Sequence, residues 1–394
     1  MSNFEVKIQP IFITPHSNAN ALELGNIGSP DGWQVIVAKG KFQTGNMVAY
    51  IGENAVVPEW VLKKYGYWNE EQNKGILAGS KGDRVKAIRL RGEFSLGIVI
   101  PVREITTYDE DEGTCLMSYM LEDEYVEPDE NVADLLGVTK YEPPIPVEMA
   151  GEVYNFGTHV GVNYDIENIK NYPDVLVEGE EVQITEKLHG TFCQIVVMPY
   201  TQQYQHEDHF IGIDPDGNKA AYIAISSKGL GGKGLFLKNN EKNANNIYVR
   251  TAQRYFDTLV EHPIDEVMTL CGEVFGHGVQ DLHYGYSQGQ TDFRLFDVYF
   301  GRRGAGEWLN DEDLDLFVEQ YGIERVPLLY RGPYSKQLIQ EMTQKTKSVF
   351  DPKQIREGVV IKPVEERNVP NLGRVALKSI NESYLTRKNG TEFN

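Results

Sequence analysis

Positive charge is what this chain is short of. Its 394 residues carry 38 Lys and Arg against 58 Asp and Glu, a formal net charge of −20. A nucleic-acid binder is usually basic, because binding neutralises phosphates. The deficit does not exclude such a partner, since a basic groove survives inside an acidic protein. Part of the excess is local. "YDEDEGT" and "LEDEYVEPDEN" gather Asp109, Glu110, Asp111, Glu112, Glu122, Asp123, Glu124, Glu127, Asp129 and Glu130, and such a run reads as a solvated acidic loop. Cysteine is scarce as well. Cys115, Cys193 and Cys271 stand far apart without a CxxC pair, which argues for a reducing compartment and against a disulfide framework or structural zinc. Apolar runs are too short for a membrane span, and "MSNFEVKIQPIF" lacks the basic start and apolar stretch of a secretory signal. No membrane partner is expected, and the location expected is cytoplasmic, or the host cytoplasm for a viral chain.

What is present suits a two-domain protein. The hydrophobic fraction of 41% supports real cores, and the length exceeds that of most single domains. Residues 1–105 read as short strands with Gly-marked bends: "WQVIVAKG", "FQTGNMVAYIG", and "DRVKAIRLRGEFSLGIVIPV" bent at Gly92. "PEWVLKKYGYW" predicts a helix that starts at Pro58. Short strands with one helix suit a small closed barrel of the OB type. Residues 106–150 read as an acidic, then proline-rich linker, with Pro143, Pro144 and Pro146 favouring an extended chain. Residues 151–394 read as an α+β domain with mostly antiparallel strands. Helical spacing marks "NNIYVRTAQRYFDTLVEH", "DEDLDLFVEQYG" and "SKQLIQEMTQKTKS".

One stretch resists reading as ordinary strand. In "VQITEKLHGTFCQIVV", Glu186, Lys187, His189 and Gly190 interrupt two sheet-forming runs. Alone, a lysine near a glycine is most often an exposed turn residue. Further segments follow in order: "ISSKGLGGKG", "LCGEVFGHGVQ", "FRLFDVYF", "REGVVIKP" and "GRVALKSIN". Glu273 and Glu357 are isolated carboxylates in apolar strands, costly there unless paired or bound to metal. The glycine-rich segment lacks the Gly-Lys-Ser/Thr ending of a P-loop.

Together, residues 160–394 resemble the covalent nucleotidyltransferases, the superfamily of ATP-dependent ligases and capping enzymes. "EKLHGT" is similar to the RNA ligase branch, whose first motif typically reads "EKIHGT". The resemblance implies that Lys187 attacks the α-phosphate of ATP, expels pyrophosphate and becomes a lysyl-AMP. AMP then passes to an RNA 5′-phosphate, and the 3′-hydroxyl displaces it. Protonated lysine is a poor nucleophile, with an ordinary pKa of about 10.4 that neighbouring cations lower. The resemblance assigns Lys362 and Lys378 to that task and to the α-phosphate. It assigns Glu186, His189, Gly190, Lys228 and Phe296 to the nucleotide, Phe296 by stacking on adenine. Glu273 is placed near the ribose and, with Glu357, at a site for Mg2+ or Mn2+, ions that prefer oxygen ligands.

The chain departs from the family's pattern in places. Lys228 stands where many members have arginine, Phe192 where phage RNA ligases have asparagine, and Ile380 where a second lysine follows Lys378. Only sixteen residues follow Lys378, too few for the OB domain that DNA ligases and capping enzymes carry there. The arrangement resembles the RNA ligases with an N-terminal OB domain, and implies a monomer acting on nicked duplex RNA or RNA/DNA hybrid. Arg84, Lys86 and Arg91, read as strand residues, are the candidate phosphate-tracking face; a charge-protected strand edge explains them equally well. The alternatives are a DNA-sealing or capping enzyme, or a non-catalytic RNA-binding protein on a ligase fold.

Overall fold

The computed structural model describes residues 4–109, 114–143, 145–147, 149–388 and 390–391. Glu110, Asp111 and Glu112 of the acidic run, and Pro144, lie outside the described residues. Contacts divide the chain into two units, Asn3–Glu142 and Pro143–Asn394. No helix among the described residues is long and apolar enough to cross a membrane.

The first unit is built on an antiparallel five-stranded sheet. Its order is Gly97–Pro101, Met47–Gly52, Lys7–Pro15, Leu22–Ile27, Trp33–Ala38. The sheet curls until its last strand meets the chain just ahead of its first. Leu96 N–H donates to the Gln34 carbonyl at 2.8 Å. Gln34 Nε2 donates to the Phe94 carbonyl at 2.8 Å, and Ile36 N–H donates to Ser95 Oγ at 3.0 Å. The result is the nearly closed barrel of an OB fold. Ile11, Val35, Val37, Val48 and Val99 pack together in one core. Alternate residues Ile8, Ala49, Ile51 and Ile100 face a second core, as the two-residue period of a strand requires.

That second core corrects the expectation of a linker. The described residues of 106–142 are not an extended spacer. Arg103–Asp109, Thr114–Leu121 and Glu124–Val126 form a three-stranded antiparallel sheet. A short helix, Ala133–Leu136, follows. Leu121, Val126, Val132, Ala133, Leu136 and Val138 cover the outer face of the barrel, with helix Glu59–Lys64, capped by Pro58 as expected. The acidic residues are not merely solvated either. Glu122 accepts from both Lys64 and Tyr65. The Glu130 carbonyl accepts from Ile8 N–H at 3.1 Å, and Asn131 Oδ1 from Val6 N–H at 2.9 Å. Burying apolar side chains outweighs a charge density that by composition suggested a loop.

The second unit contains two sheets. One has the order Glu167–Asn168, Leu377–Ile380, Gly358–Pro363, Glu181–Lys187, Leu328–Pro333. The other runs Phe210–Ile213, Lys219–Ser227, Thr191–Pro199, Met268–Gly276, Thr291–Phe300, Glu307–Trp308. Every pair is antiparallel except Glu167–Asn168 with Leu377–Ile380. The helical segments form where spacing predicted them: Ile247–Ala252 with its continuation Phe256–Leu259, Asp311–Tyr321, and Lys336–Gln344. Ser335 caps the last by accepting from Leu338 N–H at 3.1 Å. The first two pack on the six-stranded sheet and the third on the five-stranded one.

The barrel therefore needs its covering segment. A fragment of residues 1–105 leaves Ile8, Ala49, Ile51 and Ile100 exposed and is expected to bind a hydrophobic dye and unfold without a cooperative transition. A fragment of residues 1–142 is expected to unfold cooperatively in urea, followed by circular dichroism. Equal cooperativity of the two would refute the role given to residues 106–142.

Candidate active site

The puzzling stretch "EKLHGT" is the chain's passage from one sheet to the other. Lys187 is the last residue of its strand in the five-stranded sheet, and Thr191 is the first of the neighbouring strand in the six-stranded sheet. Leu188, His189 and Gly190 make the crossing. Gly190 is required by space. A Cβ there would lie 2.2 Å from the Val274 carbonyl oxygen and 2.9 Å from Glu273 Cγ. Gly190 N–H donates to Glu273 Oε1 at 3.0 Å, which ties the crossing to the strand beside it.

The crossing sets two carboxylates near one amine. Lys187 Nζ lies 2.7 Å from Glu357 Oε1. Glu357 belongs to the segment entering strand Gly358–Pro363, whose Gly358 pairs with Lys187. Burial opposes the Glu357 charge, but Lys187 and His189 outweigh it and hold the carboxyl down at about 2. Glu357 Oε2 is buried without a hydrogen-bond partner among the described residues. Glu273 behaves oppositely. Burial pushes it up to about 7, and the Glu357 charge adds to this while Lys187 opposes it. Two neighbouring carboxyls thus sit on opposite sides of the ordinary range, the pattern of groups with separate tasks.

Lysines ring the same place. Lys378, paired through Val360 with the central strand, is held down at about 8 by burial first, then by the charges of Lys228 and Lys187. Lys228 is exposed, just beyond the strand Lys219–Ser227. Lys362 is placed differently. It is buried in an ion pair with Asp297, and its Nζ also donates to the Phe296 carbonyl at 3.2 Å. Asp297 is shared with Arg374, whose Nη1 and Nη2 reach its two oxygens at 3.0 and 2.7 Å. Both cations hold the buried Asp297 carboxyl well below the usual range against the effect of burial.

Phe296 owes its position to an irregularity. Cys271 pairs with Asp297 and Gly272 with Leu295, so Phe296 is the extra residue of a β-bulge. Its ring lies 4.9 Å from that of Tyr164 and 6.1 Å from that of Phe192, with Trp308 beyond Tyr164 at 5.6 Å. Tyr164 donates to Asp297 Oδ2 at 2.5 Å. Glu186 points away from Lys187, as alternate strand residues do. Its Oε2 accepts from Val349 N–H at 2.7 Å, and its Oε1 is buried without a hydrogen-bond partner among the described residues.

The structure therefore brings Lys187, His189, Gly190, Glu273, Glu357, Lys378 and Lys228 together, and places Phe296 with Lys362 in an adjoining aromatic group. Sequence reasoning missed Tyr164, Asp281, Asp297, Arg374, Tyr384 and Arg387. Asp297 could have been found, as a carboxylate within an apolar alternating strand.

In the first unit the three cations predicted to track phosphate do not share a strand. Arg84 makes only isolated bridges to Val56 and Ala78, and Lys86 follows it outside any strand. Arg84 stacks over Tyr141 at 3.5 Å and bonds Asn54 Oδ1 at 2.5 Å, which draws it out of strand alternation. With Lys81, Lys86 and Asp83 it lines a cavity of about 250 Å³. Arg91 stands at the turn between Ile88–Leu90 and Glu93–Ser95, where Gly92 has φ +100°.

Comparison with known proteins accords with this geometry. Residues 180–380 match the family described as RNA ligase, and residues 6–102 match one described as an OB-fold domain. A lysine-to-methionine mutant of Naegleria gruberi RNA ligase with AMP and Mn is similar with a TM-score of 0.70 at 22% identity, over 97% of this chain and 98% of that one. The same ligase with PPi gives 0.69 at 22% identity, over 97% and 98%. A lysine-to-alanine mutant with ATP and Mn gives 0.66 at 22% identity, over 96% and 98%. At this identity the likeness is one of fold. Among curated protein sequences none matches the chain.

Lys378 supplies a test of the electrostatics. Its value is depressed in the folded chain, so between about 8 and the ordinary lysine range the unfolded chain binds more protons and stability rises with pH. Below that window the charge is a net cost. Lys378→Met is expected to stabilise the protein at pH 7 by about 1–2 kcal/mol, discounted for partial exposure, or a few degrees in Tm. The gain should shrink as pH approaches 10 in thermal melts. A mutant less stable than wild type at pH 7 would contradict the assignment.

Proposed function

The chain belongs to the RNA ligase family, whose match spans just over half its length, and from that premise we propose that it seals 3′-hydroxyl to 5′-phosphate ends at the expense of ATP, with Lys187 as nucleophile. The observation that carries this reading is the Lys187 amine held 2.7 Å from a buried carboxylate at a crossing ringed by Lys378 and Lys228.

In this scheme Lys187 Nζ attacks the α-phosphorus of ATP. An N–P bond forms, the bond to the pyrophosphate oxygen breaks, and the amine loses a proton. An oxygen of the RNA 5′-phosphate then takes AMP from Lys187. Finally the 3′-hydroxyl attacks the 5′-phosphorus, forming the phosphodiester and releasing AMP. Lys378 and Lys228 neutralise phosphate charge, which is most of what phosphoryl transfer asks of a protein. Phe296 supplies the adenine platform, and Lys362 acts by fixing the bulge beneath it. Glu186, fully buried and turned away from Lys187, supports the strand from its other face through Val349. His189 and Gly190 shape the nucleotide's edge of the site.

The donors also suit Mg2+ or Mn2+. Among the described residues no group of three or more His, Cys, Asp and Glu forms a metal cage. Such ions need only one or two carboxylates, with phosphate and water completing the shell. Glu357 offers Oε2, and Glu273 a second carboxylate. A bound ion would supply charge neutralisation at the transferred phosphoryl group. The scheme is written for a monomer. The cationic cavity beside Tyr141 supports the barrel as the unit that holds the nicked RNA duplex or RNA/DNA hybrid.

Incubation with α-labelled ATP and magnesium is expected to label the wild-type chain covalently and to leave Lys187→Ala unlabelled. Label on the mutant would remove Lys187 from its role. Sealing of nicks with an RNA 3′-end is expected to exceed sealing of an all-DNA nick by at least about tenfold, a difference of ~1.4 kcal/mol. Equal rates would favour a DNA-sealing enzyme.

A further inference from the structure

The His189 ring is held at Nδ1 by Tyr384, beyond the family match, and at Nε2 by Asp281, with Arg387 Nη2 3.2 Å from the same nitrogen. Tyr384 OH lies 2.7 Å from His189 Nδ1. His189 Nε2 lies 2.9 Å from Asp281 Oδ1. Asp281 is itself gripped. Arg387 donates to Oδ2 from Nε at 2.9 Å and to Oδ1 from Nη2 at 2.8 Å. Thr391 N–H donates to Oδ1 at 2.8 Å, while Asp281 N–H donates to Thr391 Oγ1 at 2.8 Å. The matched region stops at residue 380, so Tyr384, Arg387 and Thr391 all lie beyond it.

The same grip reaches the backbone of the crossing. His189 N–H donates to Tyr284 OH at 2.7 Å, and Gln280 Nε2 donates to the Gly190 carbonyl at 3.1 Å. Thr391 Oγ1 lies 3.0 Å from Gln280 Oε1, so one residue steadies both Gln280 and Asp281. The segment carrying Tyr384 is anchored in turn. Asn381 Oδ1 accepts from Ser383 N–H at 2.8 Å, and Tyr384 packs in a core with Leu188, Phe275, Leu282 and Tyr284.

The ring's orientation bears on the reacting amine. With Nε2 held by Asp281 and Nδ1 by Tyr384, the plane of the ring is fixed whichever nitrogen carries the proton. That arrangement faces Nδ1 toward Glu357 Oε2 at 3.6 Å, while Glu357 Oε1 holds Lys187 Nζ at 2.7 Å. The Glu357 carboxylate is thus confined between the imidazole and the amine. A ring free to turn would release one side of it, and the amine would lose its fixed position relative to an α-phosphate.

We propose that Tyr384, Arg387 and Thr391 form a clasp of positioning residues that sets the Lys187 amine through His189 and Glu357, a proposal that rests on Lys187 being the nucleophile. None of the three touches the amine, so their effect falls on the rate of attack and not on ATP affinity. Small displacements of a reacting group are costly in rate. The clasp also gives His189 a task that a Lys-x-Asp-Gly motif would meet differently. An imidazole has two nitrogens, and here each has its own partner.

The test uses the full chain in single-turnover labelling with α-labelled ATP. Tyr384→Phe removes only a hydroxyl. It is expected to lower the limiting rate constant of lysyl-AMP formation by about tenfold at an unchanged half-saturating ATP concentration. Partial unfolding would reduce the labelled amplitude and leave the rate constant of the folded fraction intact, which separates positioning from a merely structural role. His189→Ala is expected to lower the rate constant as well, and adding Tyr384→Phe to it should cost nothing further, because the hydroxyl acts through the ring. A wild-type rate constant in Tyr384→Phe, or losses that multiply in the double mutant, would overturn the clasp. Failure of the ligase reading has another signature: an unlabelled wild-type chain, or a labelled Lys187→Ala.

Discussion

The absence of a side chain at Gly190 is the constraint on which the rest of the site depends. Val274 and Glu273 press so close that no Cβ fits. The contact lets one sheet hand the chain to the other within three residues. Without it the strand bearing Lys187, and Glu357 beside it, could not approach Glu273 on the second sheet. A larger residue would push the sheets apart where Lys187 and Glu273 approach, because the nearest obstacle, the Val274 carbonyl oxygen, is backbone and cannot turn aside.

Charge is then distributed in two compartments. In the aromatic group, Asp297 is shared by Lys362 and Arg374, with Tyr164 donating to it as well. That cluster is nearly self-satisfied, as a buried charge must be. Around Lys187 the bookkeeping is left open. The charges of Asp165 and Glu167 offset the depression of Lys378 only in part, Glu273 is pushed up to about 7, and one Glu357 oxygen has no donor among the described residues. The first compartment is a rigid support. The second carries uncompensated charge of the kind that a phosphate and a divalent ion would complete, at a standing cost in stability.

Residues out of keeping with their strands made much of the site legible. Lys187, Glu273 and Glu357 each interrupt apolar runs, and the order of segments joined them. Asp297 bore the same mark within "FRLFDVYF". Asp281, Tyr384 and Arg387 bore none. Their contacts with His189 span 92, 195 and 198 positions, and nothing local announces a hydrogen bond formed over that separation. The bulge at Phe296 was equally hidden, because it is a property of two paired strands. Residues 106–142 misled for a related reason. Their charges dominate the composition, while Leu121, Val126 and Leu136 find a use only against a barrel formed by other parts of the chain.

Strand order has a consequence for biosynthesis. The strand Glu181–Lys187 has as neighbours Leu328–Pro333 and Gly358–Pro363, both made long after it. The barrel and its cover, by contrast, draw all their pairings from the first 142 residues. During translation the first unit can therefore complete its contacts while the ribosome is still making the second. The lysine strand waits unpaired for some 140 to 180 further residues, which at ordinary elongation rates is on the order of ten seconds. A chain arrested before residue 358 would own a finished barrel and an unfinished sheet, and so would lack the means to consume ATP.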